Sequence, residues 1–171
     1  KMNVGTINIG STQYLSAELF KSMAGVNYTT VPFNNTASVI TAVRGGDVRA
    51  AFEFLPPVLG QVRANALRAI AVSSKTRFAP LPDVPTLHES GLPGYDVASW
   101  NGIGVAAKTP RALIDRLNRE VHAAVNSPQV KQRFQELGVE SNLKTPEGMR
   151  KSVTEEIAKW NALIDKARIP R

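Results

Sequence analysis

Asn3-Val4-Gly5-Thr6-Ile7-Asn8-Ile9-Gly10-Ser11-Thr12-Gln13 is the stretch on which the fold turns. Its first eight residues form an extended run, with β-branched side chains among small and polar ones. Ser11-Thr12 is a good N-cap pair, and Leu15, Leu19, Phe20 and Met23 follow at helical spacing. Gly25 then predicts the end of that helix.

The same rhythm continues outward. Tyr28 to Pro32 reads as a second strand, opening into the polar loop Phe33-Asn34-Asn35-Thr36, after which Val39, Ile40 and Val43 mark a short helix ending at Gly45-Gly46. Val48 to Phe52 is a third strand leading to Pro56-Pro57, followed by a helix carrying Val58, Leu59 and Val62. Leu67 to Val72 has the short apolar run of a fourth strand inside a parallel sheet. Strands joined by helical crossovers predict an α/β fold, with a mainly parallel sheet flanked by helices.

Pro80, Pro82, Pro85, Gly91, Pro93 and Gly94 break every period between Ser73 and Tyr95, which predicts an ordered loop excursion. A longer strand is predicted from Val97 to about Ala106. Beyond Pro110 three apolar stripes predict helices: Leu113 to Val125, Val130 to Leu137, and Met149 to Ile164. Pro110, Pro128 and Pro146 suit first-turn positions after Thr109, Ser127 and Thr145.

Composition narrows the function. The 171 residues are 43% hydrophobic and 20% charged, which excludes disorder for most of the chain. With no cysteine there is neither a disulfide framework, nor a thiolate metal site, nor a cysteine nucleophile. The longest apolar run, Val97 to Ala107, is interrupted by Ser99 and Asn101 and falls short of the roughly 18 residues of a membrane-spanning helix. Lys and Arg number 21 against 14 Asp and Glu, a net charge of +7. These cations are scattered, with no stripe interleaved with aromatics, so no nucleic-acid partner is expected.

Three strand ends carry the candidate site. Gly10-Ser11-Thr12-Gln13, Phe33-Asn34-Asn35-Thr36 and Glu53 would lie together at the carboxyl edge of one parallel sheet, where open α/β sheets place ligands. Hydroxyl and amide side chains beside helix starts suit an anion held by neutral donors, while each segment alone is equally an ordinary cap or loop. Catalytic signals are thin. His88 and His122, the only histidines, have no spaced partner, and Ser11, His88 and Asp83 lack a nucleophile elbow. Glu18, Asp47, Glu53 and Asp96 form no metal-ligand spacing, so no metal or cofactor is expected.

Together these segments resemble the Bug, or TctC, family of extracytoplasmic solute receptors, the binding proteins of tripartite tricarboxylate transporters. The likeness is carried by residues 10–20, Val31-Pro32-Phe33-Asn34-Asn35, Gly45-Gly46-Asp47-Val48 with Phe52-Glu53, residues 67–72, Leu81-Pro82-Asp83-Val84-Pro85-Thr86 and Gly91-Leu92-Pro93-Gly94-Tyr95. It continues through Ser99-Trp100-Asn101-Gly102, Pro110 to Asn118 and Ala158 to Ile169.

The resemblance implies a two-lobed periplasmic binding fold of type II, closing on a carboxylate-bearing or amino-acid-like solute and passing it to membrane permease subunits. It implies a non-enzymatic, periplasmic protein, with Gly10, Ser11, Thr12, Gln13, Phe33, Asn34, Asn35, Thr36 and Glu53 facing the ligand. It also implies that residues 1–98 are the second lobe, that 99–171 are a return crossover strand and helices packing on a first lobe, and that this first lobe and the signal peptide are not in the chain, which starts at Lys1 on the edge of a strand. Without that lobe the helices' apolar stripes would find cover by swapping, dimerising or repacking. Glu53 replaces a usual aspartate, Tyr14 a frequent histidine and Phe33 a common tyrosine, and Asn34-Asn35 departs from a lysine-glycine or glycine-glycine pair. A carboxylate arm at Glu53 would favour a ligand with an amine or amide, or narrow the pocket. Two other classes remain at this level: an α/β enzyme with Glu53 or His88 as base, which Glu53→Gln would inactivate, and a basic nucleic-acid module, whose binding would fall steeply with salt.

Overall fold

The computed structural model describes residues 2–170; Lys1, read as the edge of the first strand, lies outside the described residues. Strand β1 (Asn3–Ile7) leads to helix α1 (Thr12–Ala24), β2 (Thr29–Phe33), α2 (Thr36–Gly45), the short β3 (Ala50–Ala51) and α3 (Leu55–Arg63). After a long irregular stretch come α4 (Arg111–Asn126), α5 (Pro128–Leu137) and α6 (Pro146–Ala167). The strands form one parallel sheet in the order β2-β1-β3. Asn3 to Ile7 pair with Thr29 to Phe33 on one side, and Val4 and Gly5 with Ala50 and Ala51 on the other.

The chain divides into two compact units, residues 1–99 with 160–171, and residues 100–159. In the first, β1 is central. Gly5 lies under Val39, Val48 and Phe33, so close that a β-carbon would meet Val48 Cγ2 at 3.2 Å and Val39 Cγ1 at 3.3 Å. By strand alternation Val4 and Thr6 point to the opposite face, and both are fully buried. Two right-handed crossovers leaving in opposite directions put α1 and α2 on opposite faces of the sheet.

The α1 side is closed by Phe20, whose ring stands 5.7 Å from that of Phe52 and 6.4 Å from those of Tyr28 and Tyr95. Leu15 meets Leu163 and Ile169, with Tyr14, Leu19, Trp160 and Ile164 around them. The chain from Trp160 onward therefore groups with the α/β unit, not with the segment from Trp100.

The caps follow the sequence. Ser11 caps α1, its Oγ accepting from Tyr14 N–H at 3.1 Å, and Gly25 ends the helix at φ 63°. Asn35 caps α2, which ends at Gly46 with φ 84°. Ser127 caps α5 with Pro128 at its first position. Pro110 differs from expectation: it is itself the N-cap of α4, which begins at Arg111.

Two predicted strands do not form. Leu67 to Val72 contributes a single parallel bridge, Val72 to Thr86, and Ile70 is 70% exposed. Val97 to Ala106 is irregular, with Trp100, Ile103 and Val105 exposed. Apolar, β-branched runs carry strand propensity, but a strand needs a ladder partner, and β3 is only two residues long.

The Pro-rich excursion is ordered by local polar contacts. Thr86 and Glu89 cap each other reciprocally, Thr86 N–H donating to Glu89 and Glu89 N–H to Thr86 Oγ1, both at 2.9 Å. Arg77 bridges Glu89 and the Pro82 carbonyl. These hydrogen bonds, with that from Arg77, hold the Glu89 carboxyl below its ordinary range. In the second unit Lys144 organises the helices: its carbonyl accepts from Asn118 at 3.0 Å and lies 3.2 Å from His122 Nε2, while its ammonium donates to Ser152.

Candidate functional site at the strand ends

From β1 the chain crosses one way to β2, and from β2 it returns past β1 to β3. Strand order therefore reverses at β1, which makes the carboxyl end of β1 a topological switch point, the place where open α/β sheets bind ligands. The three sequence-predicted segments leave the sheet there: Asn8 to Gln13 after β1, Asn34 to Thr36 after β2, and Phe52 to Glu53 after β3.

Each segment is shaped by its own residues. After Ile7 a turn closed by Ser11 N–H on the Asn8 carbonyl, at 3.0 Å, brings Gly10 to φ 83°, a left-handed conformation that glycine adopts without strain. Ser11 then caps α1. Asn35 Oδ1 accepts from Ser38 N–H at 2.9 Å and from Ser38 Oγ at 3.1 Å. The Ser11 and Asn35 oxygens are thus engaged by their own helices, and each helix start presents its first-turn N–H groups at its positive end. Gly10, Asn34 and Asn35 are exposed, whereas Ser11, Thr12, Thr36 and Phe33 are half-buried.

The closest gathering is around Glu53. Its Oε2 accepts from Phe54 N–H at 3.2 Å, from Thr36 Oγ1 at 3.1 Å and from Gln13 Nε2 at 3.4 Å. One carboxylate oxygen so ties the starts of α1, α2 and α3. Gln13 is only 3% exposed and turned to Glu53, which makes it part of this clasp instead of an open donor. Glu53 Oε1, Gln13 Oε1 and Thr6 Oγ1 are buried without a hydrogen-bond partner. Burial pushes the Glu53 carboxyl above its ordinary range, against the lowering effect of its three hydrogen bonds. Glu53, read from sequence as a carboxylate arm of the site, is turned toward Gln13 and Thr36.

Thr6 went unnoticed in the sequence. Its signal is the strand period, which places a hydroxyl on the same buried face as Val4. His88, the other base considered, accepts from Gly94 N–H through Nδ1 at 2.9 Å and pins the Gly91–Gly94 turn. A cleft in the second unit is lined by Arg111, Glu147, Arg150, Lys151, Thr154 and Glu155. Arg111 pairs there with Asp115 and Glu147, and Lys151 with Glu155, the pattern of a solvated charged face.

A parallel α/β unit with a switch point at its central strand is the architecture of periplasmic binding proteins, and solved members of that class superpose on the chain. Rpa4515 of R. palustris, solved with adipate, is 34% identical, with a TM-score of 0.85 over 99% of this chain and 56% of its own. The periplasmic binding protein BugD is 27% identical, with a TM-score of 0.76 over 98% and 57%. MatC from Rhodopseudomonas palustris, with bound malate, is 29% identical, with a TM-score of 0.75 over 95% and 56%. The chain belongs to the tripartite tricarboxylate transporter family receptors, TctC, whose family model matches residues 1–169. It spans about half the length of most of the curated relatives it matches, 51% and 48% of two of them.

Proposed function

We propose that this chain supplies one ligand-binding face of an extracytoplasmic receptor that takes a small carboxylate-bearing solute and hands it to the membrane permease subunits of a tripartite transporter. The observation that carries the reading is the switch point at β1, where two capped helix starts and neutral side chains converge on one edge. A carboxylate docks against the first-turn N–H groups of α1 and α2, with Gly10 allowing close approach and Thr12 and Asn34 offering neutral donors, while Thr36 is held by Glu53. Phe33 forms an apolar wall, Ser11 and Asn35 fix the helix starts, and Gln13 and Glu53 fix the edge from behind.

Neutral donors hold an anion without an ion pair, which keeps desolvation modest and release easy. Adipate with Rpa4515 and malate with MatC are both carboxylates, and they support this ligand class. The family and BugD support a periplasmic setting. Non-enzymatic binding fits a site whose one carboxyl is turned inward, with the other candidate base, His88, engaged with backbone.

Calorimetric titration with adipate, malate, and uncharged and cationic analogues of the same length tests the reading. Heat of binding for a dicarboxylate but not for a diol or diamine is expected. Equal binding of all of them, or binding only of the cation, overturns it. Turnover of any bound acid would move the protein to the enzyme class.

A further inference from the structure

The Glu53 carboxyl and the Gln13 amide lie side by side with half of their hydrogen-bonding capacity unused. Gln13 Nε2 donates to Glu53 Oε2, while the other oxygen of each group, Glu53 Oε1 and Gln13 Oε1, is buried with no partner. Two acceptors sealed from solvent and lacking a donor are costly. Neither water nor ligand reaches them in this arrangement. A proton does, because it needs no room: placed on Glu53 Oε1 it turns an orphan acceptor into a donor and removes a buried charge.

We propose that Glu53 is a proton-holding clasp, a positioning residue that keeps its proton at pH values where an ordinary glutamate has lost it and thereby fixes the starts of α1, α2 and α3 around an uncharged carboxyl. The groups hydrogen-bonded to it are neutral: Gln13 from α1, Thr36 from α2, and Phe54 N–H at the entry to α3. Thr6 brings a further buried hydroxyl on the α1 face of β1. Among the described residues no ion pair is made with Glu53, and burial acts in the same direction. Under the carboxylate-binding reading, the proton has a second effect: it removes a like charge from the edge where the anion docks.

The test needs no ligand, so its failure is separate from failure of that reading. In a chain labelled with 13C-glutamate, the Glu53 carboxyl, assigned through its own Cγ protons in the wild type, should titrate above the other glutamates. Titration of Glu53 within or below the ordinary range, near pH 4.3, overturns the proposal. Glu53→Gln supplies a second readout, because its NH2 is an uncharged donor like the proposed O–H and does not titrate. Its melting temperature should match the wild type near pH 4 and exceed it increasingly as the pH is raised. A gap that stays constant with pH, or opens in favour of the wild type, overturns the clasp.

Discussion

The Tyr95 hydroxyl donates to the backbone carbonyl of Ser16 at 2.7 Å and lies 2.7 Å from Ser16 Oγ, so the last residue of the Pro-rich excursion is bonded to the second turn of α1. With its hydroxyl as donor to the carbonyl, Tyr95 accepts from Ser16 Oγ, and both of its polar functions are used in a site with no exposure. Seventy-nine residues of sequence are thereby closed on the helix that begins the candidate site. Tyr95→Phe keeps the ring against Phe20 but strands the Ser16 groups. A loss of about 1–3 kcal/mol is expected in urea unfolding.

Burial also pushes the Tyr95 phenol up to about 12. The unfolded chain ionises near 10, so between about pH 10 and 12 the unfolded state releases a proton that the native state keeps. Stability falls as pH rises through that window. The fall should be shallower in Tyr95→Phe, compared by urea midpoints at pH 9 and 11; equal slopes would place the hydroxyl outside the bond described here.

Gly5 tests the packing of the other face. An added β-carbon would sit 3.2 Å from Val48 Cγ2, 3.3 Å from Val39 Cγ1 and 3.4 Å from Phe33 Cε2, in the middle of a paired strand that cannot move aside. Gly5→Ala should cost about 1–3 kcal/mol. Gly5→Ala with Val39→Ala should recover part of that loss, a non-additivity read from a double-mutant cycle.

The legible part of the fold was the part written in local chemistry. Ser11, Gly25, Gly46 and Ser127 each act on the backbone within a few residues, and each marked a boundary that the structure keeps, whereas Asn35 read only as loop and proves to be the α2 cap. Leu67 to Val72 and Val97 to Ala106 misled because an apolar run states a demand for burial without naming the partner that would meet it. The candidate site was legible as three segments sharing an edge, since parallel βαβ units send their strand ends to one side. What the sequence withheld was direction. Glu53 and Gln13 turn inward to each other across forty residues, and only coordinates show a pairing over that separation.

The two caps at the site separate fold stability from ligand affinity. Ser11→Ala and Asn35→Ala each remove one acceptor for a helix-start N–H, at 3.1 Å and 2.9 Å, and each should cost about 1 kcal/mol in unfolding experiments. Glycine at either position should cost only a few tenths, because it suits the cap backbone. An alanine variant with unchanged urea midpoint would mean that water replaces the cap without loss.

Asn34 offers the sharpest discrimination between a carboxylate edge and any other use of this surface. It is exposed, immediately precedes the α2 cap, and no described hydrogen bond depends on its side chain, so Asn34→Asp changes charge with little effect on the fold. A fixed negative charge a few ångströms from a bound carboxylate opposes it by about 1 kcal/mol or more, according to how far solvent screens the pair. Adipate or malate affinity should therefore fall about five- to tenfold at low ionic strength. The deficit should shrink toward parity near 1 M salt, where the screening length is about 3 Å. Asn34→Lys should move affinity the opposite way over the same range of salt. If both variants bind the acids as the wild type does, the ligand does not dock at the α2 start, and the carboxyl edge of β2 drops out of the site.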